Sequence, residues 1–392
     1  MIRSQFNNNV LTLFLEGEID SLKAPEFEDE INLIRKKYPA ETIILDCFRL
    51  EYITSAGLRM IMRIKKDVDD TRLINVKSDI YEIFDTTGFT EIMTVEKAYR
   101  VISVDGCEVI GQGANGRIYR IDRDTIVKVF LNADALDEIK RERELARTAF
   151  VLGVPTAIPF DIVKIEGGGY GSVFELLNAA SYAKLLIDKE KTVDEVAEMS
   201  INLLKTIHST LIKKDSMPDM KMIALDWAEF LKDYLTAEQY KKLYVLIDAI
   251  PMDMHMLHGD YHIKNIMFQN GESLLVDMDT LCHGHPIFEL AGMYNAYIGF
   301  GVLDHSDVQR FLGIDFDTAS TLWRRSLELY LGTTDESVLQ DVENKAKILG
   351  YARVIRRMIR RNGLDTEAGR KRIEGYKAFL AELLPKTDTL LF

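Results

Sequence analysis

HGDYHIKNIMF, residues 258–268, and LLVDMDT, residues 274–280, are the stretch on which the reading of this chain turns. Asp260 stands five residues before Asn265, and Asp277 closes an apolar run after a short connection. Singly, each is an ordinary turn residue, the commonest use of Asp and Asn in loops. Together they are the parts a phosphoryl-transfer site needs. Such a site requires a group that orients an acceptor hydroxyl and takes its proton, and Asp260 suits that role. It also requires oxygen ligands for Mg²⁺, which prefers carboxylates and keeps several waters. Asn265 and Asp277 supply two such oxygens. Asp279, two residues beyond Asp277, faces the same side in an extended chain and ligates the metal or buttresses the site.

Upstream, Gly111, Gly113 and Gly116 form GQGANG between two predicted strands. Glycines let the backbone approach phosphates closely and take positive φ. A strand follows this loop, not a helix, which argues against a dinucleotide-binding fold. In DTIVKVF, residues 124–130, alternation points Lys128 to one face and its two valine neighbours to the other. A cleft-facing Lys can hold α- and β-phosphate oxygens. The next predicted helix, about 133–152, carries Glu138, Glu142 and Glu144. One of them could pair with Lys128 and fix its position, as a Glu does in kinases. Glu142 is the first choice, because it shares a face with Glu138 at i,i+4 spacing, and Glu144 is the alternative.

These motifs, in this order, resemble the aminoglycoside phosphotransferase and choline kinase branch of the kinase fold, over about residues 105–380. The resemblance implies that Asp260 is the catalytic Asp, that Asn265 and Asp277 hold the metal, and that Lys128 and Glu142 form the ion pair. It further implies that the segment after GSVFELL offers backbone groups at Glu175 and Leu177 to an adenine edge. The motif reads His-Gly-Asp rather than His-Arg-Asp, and only a short link joins Asp277 to GHPIFELA, residues 284–291. Both differ from protein kinases that carry a long activation loop. Glu289 stands where members of this branch usually have Asp.

The first hundred residues read as a small α/β domain. Strands are expected at 10–15, 41–46 and 73–76, a turn at 17–20, and helices at 24–38, 55–68 and 80–84. In LDCFRLEYITSAGLRMI, residues 45–61, an extended stretch runs directly into a helix, so Ser55 lies near a helix N-terminus. There it is either an ordinary cap or a place where a phosphate meets free N–H groups. With EGEIDS at 16–21 and IYEIFDTTGF at 80–89, the segment resembles the STAS family of anti-sigma-factor antagonists. That resemblance implies a Ser55 phosphosite that switches binding of an anti-sigma-factor-like partner. Thr54 stands where members often have Asp.

The expected fold is therefore an α/β STAS-like domain (1–104) followed by an α+β bilobal protein-kinase-like domain (105–392), with an N-lobe of about 105–177 and a helical C-lobe of about 178–392. The expected activity is ATP- and Mg²⁺-dependent phosphotransfer to a small-molecule hydroxyl under STAS-domain regulation. The alternative is a protein Ser/Thr kinase or nucleotide-binding regulator in a partner-switching pathway. A net charge of -13 argues against nucleic acid as partner. The N-terminal apolar run is too soon charged for a signal peptide. No stretch reaches the ~20 apolar residues of a membrane span, so a cytoplasmic location is expected. Three scattered cysteines, Cys47, Cys107 and Cys282, read as buried thiols. Tyr294, Tyr297 and Phe300 share a helical stripe, either core or an aromatic cage for a quaternary ammonium. The basic run RVIRRMIRR, residues 353–361, is either a solvated or internally paired helix face or a docking surface for the N-terminal domain.

Overall fold

Alternating apolar residues in Val10–Ile19 and Thr42–Ile53 place one side of each strand in a core, and these two strands pair in parallel. The computed structural model describes residues 2–112, 116–177, 179–213 and 215–392. It divides into two compact units, 1–103 with 163–166, and 104–162 with 167–392.

In the first unit a five-stranded sheet runs in sequence order through Arg3–Asn7, Val10–Ile19, Thr42–Ile53, Asp70–Val76 and Val95–Lys97. The first pair is antiparallel and the rest are parallel. The helices Lys23–Lys37, Ser55–Asp67 and Ser78–Thr86 pack on it through Ile31, Ile61, Ile64, Ile80 and Phe84. Of the turn expected at 17–20, residues 17–19 are instead the end of a strand. Register shifts around Glu16 and Gly17, with Gly17 at φ +75°, let the strand bulge and continue to Ile19.

In the second unit, the strands Glu108–Gln112, Gly116–Arg120, Thr125–Phe130 and Tyr170–Glu175 pair antiparallel in that order. Not every strand between 108 and 177 is antiparallel, however. Residues 163–165 of Asp161–Ile165 pair in parallel with Arg100–Ile102 inside the first unit. The helix Leu136–Val151 turns Ile139, Glu142, Leu145, Ala146 and Ala149 inward. Beyond Ala180 the chain is mainly helical and closes around one large core. The helix Ile287–Tyr297 is buried on every side except at Gly292, as suits a central helix. Tyr294 and Tyr297 are core residues, Tyr294 bonding Tyr351 through the hydroxyls at 2.9 Å, so the stripe does not form a cage. Cys47 and Cys282 are buried as expected, whereas Cys107 is half-buried. Among the described residues no helix is long and apolar enough to cross a membrane.

Candidate active site

The loop that carries Asp260 is held from several directions. Gly259 sits at φ +82°, and a Cβ there would lie 2.4 Å from the Thr280 carbonyl oxygen. Only glycine fits, because both the conformation and the space forbid a side chain. The buried Glu289 carboxylate accepts the amide N–H of His258 at 2.5 Å and of Gly259 at 3.0 Å. It therefore supports the loop through its backbone, and the longer Glu side chain reaches both amides. Burial works to raise the Glu289 carboxyl, but the nearby His208 and His258 rings and the Gly259 amide hold it below its usual range. His258 Nδ1 accepts the Asp260 amide at 3.3 Å, and its Nε2 faces the Val276 carbonyl at 3.3 Å. Asn265 Nδ2 donates to the Asp260 carbonyl at 3.0 Å, and the Asn265 carbonyl accepts the Val276 amide at 3.0 Å.

Two groups flank the Asp260 carboxylate that the sequence did not single out for it. His262, buried, brings Nε2 to 3.5 Å from Oδ2. Arg353 brings Nη2 to 3.9 Å from Oδ1 while its Nη1 donates to the Gly259 carbonyl at 3.0 Å. Gly292 leaves room for this guanidinium, since a Cβ there would lie 3.3 Å from Nη1. Burial pushes the Asp260 carboxyl up, but His262, then Arg353 and His258, more than offset it and hold it well below the carboxylate range. These neighbours therefore favour the ionised carboxylate. Arg353 belongs to the basic run, which is neither uniformly solvated nor uniformly paired. Arg356 pairs with Asp226 at 2.8 Å, and Arg353 enters the site.

Opposite this loop, Lys128 Nζ lies 3.0 Å from Glu142 Oε1 and 2.9 Å from Asp277 Oδ1. Burial opposes the Lys128 charge, but Glu142 and Asp277 keep it above the usual lysine range. Burial raises the Glu142 carboxyl against the pull of Lys128. Glu138 and Glu144 are exposed. It is burial beside Ile139, Leu145 and Ala146, not a face shared with Glu138, that singles out Glu142.

Asp277 takes a left-handed conformation, φ 62° and ψ 63°, and Met278–Thr280 then forms a 3-10 turn. The chain there is not extended, so the two-residue spacing does not by itself align Asp279 with Asp277. The Asp279 carboxyl is nonetheless pushed up to about 7, first by burial and then by the Asp277 charge. Such mutual repulsion among carboxylates fits a site that takes a cation. Asn265 adds an amide oxygen that no hydrogen bond occupies among the described residues. Among those residues no cluster of three His, Cys, Asp or Glu forms a metal cage.

Of the glycine loop, Gly113 lies outside the described residues. Gly111 and Gly116 do not have positive φ. Gly116 is required for close packing, because a Cβ there would lie 2.4 Å from the Val129 carbonyl oxygen. Glu175 ends the strand that pairs with Thr125–Phe130, and Leu177 follows it, half-buried. In the first unit Ser55 is exposed and opens the helix Ser55–Asp67. It is not the cap: Thr54 occupies the N-cap position, and its hydroxyl donates to the Ile19 carbonyl at 3.2 Å.

Residues 106–324 match the phosphotransferase enzyme family, and residues 1–101 match the STAS domain. Over 92 residues the chain is 30% identical to BtrV of Bordetella bronchiseptica, named as a candidate anti-sigma factor antagonist. The match covers 22% of this chain and 78% of that protein. Among solved structures, the chain is similar to the ADP-bound aminoglycoside phosphotransferase APH(2'')-Ib, at 16% identity and a TM-score of 0.49, over 77% of this chain and 98% of that one. It is also similar to a choline/ethanolamine kinase family protein from Mesorhizobium loti, at 14% identity and a TM-score of 0.45, over 71% and 87%.

Proposed function

We propose that this chain, which belongs to the phosphotransferase enzyme family and carries a STAS domain ahead of that region, transfers the γ-phosphate of ATP to a small-molecule hydroxyl. The observation that carries the reading is Lys128, held between Glu142 and Asp277, in a unit where His262 and Arg353 flank the Asp260 carboxylate and where no hydrogen bond among the described residues occupies the Asn265 amide oxygen.

In the proposed step the acceptor oxygen bonds to the γ-phosphorus while the bond from that phosphorus to the β,γ-bridging oxygen breaks. ADP leaves with the electron pair, and the hydroxyl proton passes to the Asp260 carboxylate. Lys128 grips the α- and β-phosphate oxygens, and Glu142 keeps it aimed. Gly111, Gly113 and Gly116 border the phosphates, and backbone groups at Glu175 and Leu177 meet the adenine edge. Asn265 and Asp277, with Asp279 near them, would hold Mg²⁺, which would neutralise charge on the phosphates.

The STAS unit is read as regulatory, with Ser55 as its control point and an anti-sigma-factor-like protein as partner. Exposure of Ser55 in the first turn, without a capping duty, supports this. The STAS unit also favours a second reading, in which the acceptor is a protein of a partner-switching pathway. The test uses radiolabelled ATP and Mg²⁺ with the full chain, a library of hydroxyl-bearing metabolites and antibiotics, and casein as protein control. Label in a small molecule with wild type, and none with Asp260→Asn, is the expected result. Label in casein alone favours the second reading, and equal labelling by Asp260→Asn contradicts the role given to Asp260.

A further inference from the structure

A chain with 62 acidic and 49 basic residues has carboxylates to spare, and most arginines of the helical region find one. Arg310 and Arg372 meet Asp307, Arg324 meets Glu328 and Glu336, and Arg356 meets Asp226. The stripe Arg353, Arg357 and Arg361 differs. These residues follow one another at i,i+4 along the helix Glu336–Arg360 and its C-cap, so they share a face. Its first member already touches the Asp260 loop. Arg357, one turn on, is exposed and has no ion pair among the described residues, and neither has Arg361. Partial desolvation of its inner part lowers the Arg357 guanidinium although the residue is exposed as a whole, and the charges of Arg361 and Arg353 lower it further, so the stripe repels itself.

The surroundings of the stripe tie it to the reacting centre. The Arg357 guanidinium lies over the Phe300 ring, 5.7 Å from its centroid. Phe300 meets Phe311 edge to face at 5.2 Å, and Phe311 in turn meets the His262 ring at 5.0 Å. His262 is the residue beside the Asp260 carboxylate. Lys264 closes the same patch, its Nζ donating to the Phe311 carbonyl at 3.0 Å. A line of cations and aromatic faces therefore leads away from Asp260, and among the described residues the Asp260 carboxylate is the only one that forms an ion pair with Arg353, Arg357, Arg361 or Lys264. An acceptor rich in ammonium groups would be repelled here. A phosphate or carboxylate would relieve the repulsion and take charge-assisted, forked hydrogen bonds from arginine.

We propose that the acceptor is an anion: a hydroxyl compound whose phosphate or carboxylate docks on Arg357 and Arg361 while its hydroxyl meets Asp260. This rests on the phosphotransferase reading and adds the substrate class to it. The test is calorimetric titration of the full chain, saturated with Mg-ADP so that the nucleotide's own phosphate subsites are filled. Inorganic phosphate and malonate are the anionic probes, and kanamycin and choline the cationic ones. At least one anion binds wild type, neither cation does, and Arg357→Glu weakens the anion at least about 10-fold, the scale of a lost charge-assisted bond. The same charge reversal at Lys36, exposed in the other unit, leaves binding alone. Phosphate binding over malonate points to a phosphomonoester acceptor, and the reverse to a hydroxy acid. The proposal is overturned if neither anion binds, if Arg357→Glu binds as wild type does, or if a cation binds in their place. Failure of Mg-ADP itself to bind would strike the phosphotransferase reading instead, and the anion titration would still report on the stripe.

Discussion

Desolvation works against the Asp260 charge, and the neighbouring His262, Arg353 and His258 more than offset it. Removing the carboxylate while keeping the shape isolates its part in the chemistry. Asp260→Asn should lower turnover by about 100-fold or more, the usual size of a lost general base, with little change in nucleotide affinity. The comparison is steady-state ADP release against nucleotide titration. Glu289 does its work through the backbone. Glu289→Gln turns one acceptor into a donor facing the His258 and Gly259 amides, and should cost about 1–3 kcal/mol for the unpaired buried groups, read from denaturant unfolding. Asp260, Asn265 and Asp277 stood out as candidates because they fall within one short run of sequence. The supports did not: Glu289 lies 31 residues from His258, and Arg353 lies 94 from Gly259. His262 stood inside the quoted motif, and two-residue spacing from Asp260 was a signal that could have found it.

Among the elements, close approach explains what periodicity missed. Gly57, in the first turn of Ser55–Asp67, faces Ile53 Cγ1 at 2.6 Å and Ile19 Cγ2 at 2.9 Å from the position of an added Cβ. Gly57→Val therefore overpacks the junction and should destabilise the first unit by about 1–3 kcal/mol. Thermal unfolding followed by circular dichroism would test this, and an unchanged transition would contradict the packing. The helices and most strands were readable from apolar spacing, since burial on one face writes that spacing directly. The bulge at Gly17 was not, because a glycine at positive φ serves a turn and a bulge equally. The 3-10 turn after Asp277 was also hidden, as a left-handed Asp leaves no periodic mark.

At the scale of the whole molecule, a STAS unit and a unit of the phosphotransferase enzyme family share one chain. The connection from Asp277 to Gly284 is short, so the enzyme should be active without phosphorylation of its second unit. Phosphatase treatment before assay should leave the Asp260→Asn-sensitive activity in place. If Ser55 is the control point, Ser55→Asp and Ser55→Ala should differ from each other in turnover or in the protein each captures, because a phosphate adds about -1.5 to -2 charge at neutral pH. Identical behaviour would remove Ser55 from the account. The central claim concerns the nucleotide, and thermal unfolding of the full chain with ATP and Mg²⁺ reaches it most directly, since a ligand bound to the folded state raises its stability. Mg-ATP should raise the melting temperature of wild type, and Asp277→Ala should lose the metal-dependent part of the rise. No rise in wild type, or the same metal-dependent rise in Asp277→Ala, would contradict it.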